Sequence, residues 1–407
     1  MGSSMIDLEQ YRPVIGDEKL DELIEKANAQ NGKRYLMVNS TSDGGGVAEM
    51  LNSMVPMLNH LGLNIEWKIL RGFHEFFEVT KSFHNALQGG EIDLTDRVKE
   101  LYLGTNEEFT TYNDFDYDVV VIHDPQPLPL ISFVEKKQPW IWRLHIDITD
   151  PNPELWKFAK EYIEKYDKMI ISHEDYRKDD LDMDDVIIHP AIDPLTEKNM
   201  DLDQKKIREQ MAHHEIPLDK PIISQISRFD IWKDPEGVIE VYRKVKERFD
   251  CRLILCGSMA SDDPEGWEIF KRVEEKAREL IDSGDIILVV NAEELFVNAL
   301  QRISHVVIQK SLREGFGLTV SEALWKGTPV VTSRVGGIPL QIIDGETGYL
   351  CDPRDNDCFV ERIVGLLEDD ELREEMGKKG REHVRENFLI TRLMSDYLDL
   401  FSSLNGN

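Results

Sequence analysis

REGFGLTVSEALWKGTPVV, residues 313–331, decides the fold class of this chain. Gly315 and Gly317 form a turn, a short helix follows, and the apolar run Pro329–Thr332 then reads as a strand. A glycine-rich turn at the start of a helix leaves backbone N–H groups pointing outward, which favours an anionic ligand. Two carboxylates, Glu314 and Glu322, flank this turn. The stretch therefore predicts a ligand site in an α/β protein.

Outside this stretch, short apolar runs alternate with longer amphipathic ones, which is typical of parallel sheets covered by helices. In the first half the predicted strands are Arg34–Asn39, Asn64–Leu70, Asp118–His123, Pro139–His145 and Lys168–Ser172. In the second half they are Ile222–Ile226, Arg252–Cys256, Asp285–Val290, His305–Gln309 and Pro329–Thr332. Predicted helices include Val47–His60, Gln204–His214, Pro235–Phe249, Gly266–Ile281, Asp357–Leu367 and Ile390–Leu404. We expect two facing, doubly wound Rossmann-like domains with the ligand cleft between them.

The domain boundary is predicted at the segment Ile188–Asn199, because Pro190 and Pro194 prevent a helix through it. At 407 residues the chain exceeds the size of one ordinary core. The expected domains are residues 1–190 and 191–389, followed by a C-terminal helix over 390–407 that packs back on the first domain. Residues 1–5, MGSSM, resemble a tag-derived scar.

Composition excludes several classes of partner. The formal net charge of −30 repels nucleic acid and anionic lipid, and no apolar run is long enough to span a membrane. The four cysteines do not have the clustering of a zinc site, so a reducing cytoplasm is the simplest interpretation. The aspartates at 182, 184, 185, 201 and 203 are expected to be solvated or to cap helices rather than to bind metal. A homodimer is compatible with the composition.

Two groups of residues are candidates for phosphate binding. Gly44, Gly45 and Gly46 follow the first strand and open a helix, although their spacing matches neither a dinucleotide fingerprint nor a P-loop. Arg228 and Lys233 follow the strand Ile222–Ile226, at the end where an α/β domain binds its ligand. A cationic pair at this position could neutralise a diphosphate leaving group without a metal.

Taken together, these features resemble the retaining GT-B glycosyltransferases of the glycogen-synthase-like superfamily. The resemblance implies that Glu322 holds the nucleotide ribose and that Glu314 contacts the donor sugar. It also implies that backbone amides near Phe316, Gly317 and Leu318 meet the sugar and the phosphate. The chain departs from many relatives at Leu340, where they carry a glutamate after the Gly-Gly-Ile-Pro run. This departure argues against a third carboxylate role.

Several long segments, mostly in the first half, are similar to the trehalose glycosyltransferring synthases. They read VNSTSDGGGVAEML, HNALQG, HDPQP, WIWRLHID, IDPLTEKN and DDPEGW. The resemblance implies reversible transfer of glucose from a nucleoside-diphosphate-glucose to glucose, giving α,α-trehalose. It assigns the acceptor to the N-terminal domain and the sugar nucleotide to the C-terminal one. No cofactor is then required; Mg²⁺ is compatible with this chemistry, but no protein metal site is expected.

The resemblance also implies roles for polar residues near strand ends in the first half. A histidine after the strand Pro139–His145 lies beside the donor sugar in the family, so His145 is assigned there as a catalytic residue. The remaining candidates could line the acceptor pocket by hydrogen bonding to hydroxyls: His123, Asp124, Arg143 and Asp147.

Other functions stay open at this point. A retaining trehalose phosphorylase would use phosphate where the diphosphate lies, and Arg228 and Lys233 suit either ligand. A transferase with another small acceptor, such as a polyol or a glycerate, is a second alternative. A lipid acceptor is disfavoured by the net charge. A catalytically dead sugar-nucleotide sensor or scaffold is the alternative from another class, although it would not need the full set of glycines, cations and carboxylates. The nucleotide base is not predicted.

Overall fold

A computed structural model describes residues 7–42, 45–257 and 264–404, which form two compact units. The N-terminal unit comprises the described residues up to Ala191 and those from Ile390 onward. The C-terminal unit comprises Ile192–Leu389. None of the helices in the described ranges combines the length and the apolar character that crossing a membrane requires.

The N-terminal unit is a six-stranded parallel sheet with the order β2-β1-β3-β4-β5-β6. Its strands are β1 Arg34–Asn39, β2 Asn64–Ile69, β3 Val119–His123, β4 Trp140–Arg143, β5 Lys168–Ile171 and β6 Asp184–Ile187. Its helices are α1 Arg12–Ile15, α2 Asp17–Asn28, α3 Gly46–His60, α4 His74–Leu87, α5 Asp96–Tyr112, α6 Pro153–Ile163 and α14 Ile390–Leu404. Every residue of β3 and β4 is buried, as expected for strands covered on both faces.

The C-terminal helix α14 packs against α2 and α3. The ring of Phe401 stacks on Tyr35, with centroids 4.3 Å apart. Nζ of Lys26 bonds Oδ2 of Asp399 at 2.8 Å. The chain therefore returns to its N-terminal unit after completing the C-terminal one.

The C-terminal unit is a second six-stranded parallel sheet with the order β12-β11-β10-β7-β8-β9. Its strands are β7 Ile222–Ile226, β8 Arg252–Gly257, β9 Ile286–Val290, β10 Val306–Gln309, β11 Val330–Ser333 and β12 Tyr349–Cys351. Its helices are α7 Gln204–His213, α8 Pro235–Arg248, α9 Pro264–Asp282, α10 Glu294–Ile303, α11 Leu318–Trp325, α12 Asn356–Glu368 and α13 Asp370–Asn387. Counted from β7, this is the Rossmann strand order.

All ten predicted strands are confirmed, with ends that differ by at most two residues. Two strands were missing from the prediction: β6, which begins with two aspartates at the edge of its sheet, and β12, which has only three residues. The prediction that His145 ends a strand is wrong, because β4 stops at Arg143 and His145 lies in the loop beyond it.

A disulfide joins Cys351, at the end of β12, to Cys358 in the first turn of α12. A reducing environment, in which cysteines stay as thiols, was expected from the sequence, so this disulfide was not predicted. Cys251 and Cys256 are free and buried, and they pack as small apolar side chains at and beside β8.

Candidate active site

The strand order of the C-terminal unit brings the loops after β7 and β10 together. The chain leaves β7 toward β8 on one side, whereas β10 pairs with β7 on the other. Parallel sheets bind ligands at such a reversal of strand order, beyond the carboxyl ends of the strands. The loop after β7 carries Arg228 and Lys233, and the loop after β10 carries Glu314.

Lys233 and Glu314 form an ion pair across this point, between Nζ and Oε2. Their side chains are only 17% and 11% exposed, so the contact is weakly screened by solvent. The hydroxyl of Ser311 donates to the same oxygen, Oε2, at 3.2 Å. Nε2 of Gln225, on β7, donates to the carbonyl of Lys233 at 3.1 Å. The predicted cation and carboxylate are therefore direct neighbours in a fixed arrangement.

A second ion pair stabilises the loop that carries Lys233. Nζ of Lys310, a buried residue directly after β10, contacts Oδ2 of Asp234. Asp234 has a left-handed backbone, with φ of 47°, and its Oδ1 accepts a hydrogen bond from N of Gly237 at 3.0 Å, which caps α8. The loop after β7 and the segment after β10 are therefore joined by two ion pairs, one at Lys233 and one at the neighbouring Asp234.

Arg228 is the more open of the two predicted cations, with 43% of its side chain exposed. Its Nη2 lies 3.2 Å from Oδ2 of Asp230. The other oxygen of Asp230 accepts a hydrogen bond from N of Trp232 at 2.8 Å. The aspartate orients the guanidinium while leaving part of it accessible to an anion.

Gly317 precedes α11 with φ of 81°, a conformation that favours glycine. A Cβ at this position would lie 3.1 Å from Cγ of Glu314, so the turn also needs a small residue for space. Nε2 of Gln341 donates to the carbonyl of Phe316 at 2.5 Å and fixes the turn from the other side. Leu318 is the first residue of α11.

Glu322 lies in α11 and is almost fully buried. Its Oε1 is 2.9 Å from Nζ of Lys198, and its Oε2 accepts from Nε2 of Gln301 at 3.3 Å. Burial raises the pKa of Glu322, but the charges of Lys198 and Lys326 outweigh it and hold the pKa below its usual value. Glu314 and Glu322 therefore contact different lysines, Lys233 and Lys198.

In the N-terminal unit the order of strands reverses between β1 and β3. His123 ends β3, and its Nδ1 lies 3.1 Å from Nε2 of His145. Asp124, the next residue, has φ of 65°, and its Oδ1 accepts from N of His145 at 2.9 Å. Three predicted residues are thus in mutual contact at the carboxyl end of this sheet.

Burial controls the charges in this group. It lowers the pKa of His123 to about 3, and the charge of Arg143 acts in the same direction. It also lowers the pKa of His145, with smaller contributions from Arg143 and His123. Burial raises the pKa of Asp124 to about 7, against the opposing effects of the His145 amide and Arg143. Near pH 7 the imidazoles are therefore neutral, and Asp124 is present in both its protonated and its ionised form.

Arg143 lies beneath these residues and is 1% exposed. Its Nη1 donates to the carbonyl of Ile171 at 3.1 Å, and its Nη2 donates to the carbonyl of Ile188 at 2.7 Å. One nitrogen on each of these three side chains has no hydrogen-bond partner among the described residues: Nε of Arg143, Nε2 of His123 and Nδ1 of His145. The three side chains border a small cavity closed by α3 and α14. Buried polar atoms are normally hydrogen-bonded, so these nitrogens are candidates for binding a water or a ligand hydroxyl.

The remaining predicted residues of this unit shape a loop and the start of a helix. Oδ1 of Asp147 accepts from N and Oγ1 of Thr149, at 2.8 and 2.6 Å, so this carboxylate shapes its own loop. Gly45 precedes α3 with φ of 89°, and Gly46 is the first residue of that helix. Gly44 lies outside the described residues.

Replacing His123 with Gln should make stability less sensitive to acid. In the folded protein the pKa of His123 is about 3, whereas the ordinary value for histidine is 6.5. Between these pH values His123 is therefore protonated in the unfolded chain but not in the folded one. The contribution of His123 to stability is therefore largest above pH 6.5 and is lost as the pH drops toward 3. From pH 7 to pH 5 the free energy of unfolding of the wild type should fall by about 2 kcal/mol more than that of His123→Gln.

Urea unfolding at the two pH values measures this difference. The control is His74→Gln, because His74 has a side chain that is 58% exposed. An identical pH dependence in wild type and His123→Gln would contradict a neutral, buried His123.

Sequence reasoning did not identify Lys198, Lys310 or Asp234 as parts of the site. Each becomes visible only through a partner far away in the sequence. Within residues 7–42, 45–257 and 264–404, no three His, Cys, Asp or Glu side chains cluster as a metal site would need.

Two family models match the chain. They are "Trehalose synthase, N-terminal domain" over residues 37–178 and "Glycosyl transferases group 1" over residues 206–383. A trehalose synthase of Pyrococcus horikoshii is 48% identical over 403 residues, which cover 98% of this chain and 97% of the relative. A trehalose phosphorylase of Pleurotus pulmonarius is 30% identical, over 93% of this chain but only 58% of its own length.

Among solved structures, a sucrose-phosphate synthase from Thermosynechococcus elongatus matches with a TM-score of 0.74 at 19% identity. The match covers 91% of this chain and 99% of that one. At this identity the likeness concerns the fold alone. It confirms the predicted fold class, the GT-B type with two Rossmann-like domains.

Proposed function

Because the chain belongs to the trehalose synthase family of group 1 glycosyltransferases, we propose that it transfers glucose from a nucleoside-diphosphate-glucose to glucose. The product is α,α-trehalose, the donor configuration is retained, and the reaction is reversible. The observation that carries this proposal is the identity of 48% along essentially the whole chain with a trehalose synthase. The Lys233–Glu314 pair at the point where strand order reverses gives it a physical basis.

The C-terminal unit binds the donor in this proposal. Lys233 and Arg228 stabilise the negative charge that develops on the departing diphosphate. Glu314 accepts hydrogen bonds from hydroxyls of the donor sugar, and its contact with Lys233 fixes sugar and phosphate in one geometry. The amides of Phe316, Gly317 and Leu318 supply further donors at the start of α11.

The bond changes take place on one face of the donor sugar. The bond from the anomeric carbon to the diphosphate oxygen breaks, and its electron pair stays with that oxygen. The acceptor hydroxyl oxygen forms the new bond on the same face, and its proton passes to the leaving diphosphate oxygen. No side chain is assigned as a nucleophile, so a trapped glycosyl-enzyme would contradict this step.

The N-terminal unit supplies the acceptor side. His145 is assigned beside the donor sugar, while His123 and Asp124 accept and donate hydrogen bonds to acceptor hydroxyls. Both imidazoles are neutral because the pKa of each histidine is lowered. Each ring keeps one nitrogen outside the His123–His145 contact, so one of these two nitrogens can donate to a hydroxyl and the other can accept from one. Arg143 and Asp147 complete this set, and Gly45 and Gly46 allow close approach of the backbone. Arg143 takes part through Nε, its nitrogen without a hydrogen-bond partner among the described residues.

A forward assay tests the proposal. The protein is incubated with UDP-, ADP- or GDP-glucose labelled with ¹³C at the anomeric carbon, together with unlabelled glucose, and the product is identified by NMR. We expect α,α-trehalose with the label in one glucose unit. An α,β-linked product, or hydrolysis without transfer, would overturn the proposal.

Trehalose phosphorolysis remains the second candidate, because a phosphorylase is 30% identical to the chain. Phosphate could occupy the position of the leaving diphosphate, beside Arg228 and Lys233. The two functions differ in whether a nucleotide is required, so parallel reactions with phosphate and with nucleoside diphosphates separate them.

Glu322→Gln should weaken nucleoside diphosphate binding by about 10-fold or more, because a ribose loses its hydrogen bonds to a charged acceptor. Isothermal calorimetry with UDP, ADP and GDP measures the change. Glu346→Gln, at an exposed position of the same unit, is the control. Unchanged affinity in Glu322→Gln would remove the residue from ribose binding.

A further inference from the structure

The segment IDPLTEKN, residues 192–199, brings Lys198 to the buried carboxylate of Glu322. Nζ of Lys198 lies 2.9 Å from Oε1, and the two side chains are 17% and 2% exposed. Gln301 donates to the other oxygen, Oε2, at 3.3 Å. The lysine thus orients one oxygen of the carboxylate and the glutamine the other.

The backbone beside Lys198 is anchored to the same helix that carries Glu322. Nε1 of Trp325 donates to the carbonyl of Asn199 at 3.1 Å. Nζ of Lys326 donates to Oδ1 of Asn199 at 2.6 Å and to the carbonyl of Glu322 at 3.2 Å. These bonds tie the segment to the end of α11, so the ammonium of Lys198 approaches Glu322 from a fixed position.

An ionised carboxylate in a buried position is costly unless it is paired. Lys198 and Gln301 provide that pairing at Oε1 and Oε2. A carboxylate has about four acceptor positions, so this arrangement leaves capacity for the two neighbouring hydroxyls of a ribose. A lysine that only stabilised the fold would have no bearing on which sugar the nucleotide carries.

We propose that Lys198 is a positioning residue for nucleotide recognition, which holds Glu322 in the orientation that accepts hydrogen bonds from both ribose hydroxyls. The inference rests on the proposed function, which assigns Glu322 to the ribose. It extends that function by making the choice of ribose over deoxyribose depend on the segment that begins the C-terminal unit.

The test compares the dissociation constants of a nucleoside diphosphate and its 2′-deoxy counterpart, using whichever of UDP, ADP and GDP binds the wild type most tightly. We expect the wild type to bind the deoxy form about 10-fold more weakly. In Lys198→Met this ratio should approach one, and Lys198→Arg should restore most of it. Lys205→Met is the control, because that lysine lies in α7 with 84% of its side chain exposed.

Glu322→Gln separates failure of this inference from failure of the ribose assignment. If the ratio persists in Glu322→Gln, or is already one in the wild type, the ribose assignment fails and the inference with it. If the ratio collapses in Glu322→Gln but persists in Lys198→Met, only the inference is overturned. Tighter binding by Lys198→Met would also overturn it, because the lysine would then compete with the ribose. Lys198→Gln, which keeps a hydrogen-bond donor, replaces the Met variant if that variant does not fold.

Discussion

Lys233→Met is expected to lower kcat for trehalose synthesis by about 10²- to 10³-fold, which is typical of losing one group that stabilises transition-state charge. Nζ of Lys233 lies beside Glu314 with little exposure to solvent, so water cannot readily replace the lost cation. The measurement is steady-state kinetics with a saturating sugar nucleotide.

The matched control is Lys276→Met. Lys276 also pairs with a glutamate of the same unit, Glu240, at 2.6 Å, but this pair lies on the surface between α9 and α8. Its loss should leave kcat unchanged within about twofold, since exposed pairs contribute little. Turnover by Lys233→Met within tenfold of the wild type would remove Lys233 from charge stabilisation.

Glu314→Gln is expected to lower kcat by about 10²-fold, because the neutral amide loses both the proposed charged contact to the sugar hydroxyls and the ion pair with Lys233. The amide has nearly the same shape as the carboxylate, so the change tests charge more than packing. Glu240→Gln serves as the matched control for this variant.

The double variant tests whether the two residues act as a unit. Residues in direct contact show effects that do not add, so Lys233→Met combined with Glu314→Gln should lose less than the product of the two single losses. The Lys276–Glu240 double variant should show no such coupling in kcat. Simple multiplication of the Lys233 and Glu314 effects would show that they act independently, against the geometry of the pair.

Much of the fold could be predicted because the interior strands can be recognised from their apolar sequence alone. In β3 the run Val119–Ile122 is continuously apolar, as is common when helices cover both faces of a sheet. The edge strands β6 and β12 were missed because an edge strand needs fewer apolar residues and can be very short. The ends of strands were predicted less well than their centres, as His145 illustrates.

The candidate site was predictable where chemistry follows a strand directly. Arg228, Lys233 and Glu314 occupy loops whose meeting point follows from parallel strand order. The partners that set charge and orientation were not predictable, because Lys198 meets Glu322, and Lys310 meets Asp234, only through tertiary packing. The Cys351–Cys358 bond was missed for a related reason. The two cysteines come close only because α12 follows β12 after a short turn.

The reverse reaction tests most directly whether a diphosphate is the group that Lys233 and Arg228 stabilise. The protein is incubated with trehalose and, in separate reactions, with UDP, ADP, GDP or inorganic phosphate, and the products are identified by ³¹P NMR and mass spectrometry. We predict that at least one nucleoside diphosphate yields its α-linked sugar nucleotide, and that Lys233→Met lowers this yield. Glucose 1-phosphate from the phosphate reaction, with no sugar nucleotide from any diphosphate, would contradict the assignment.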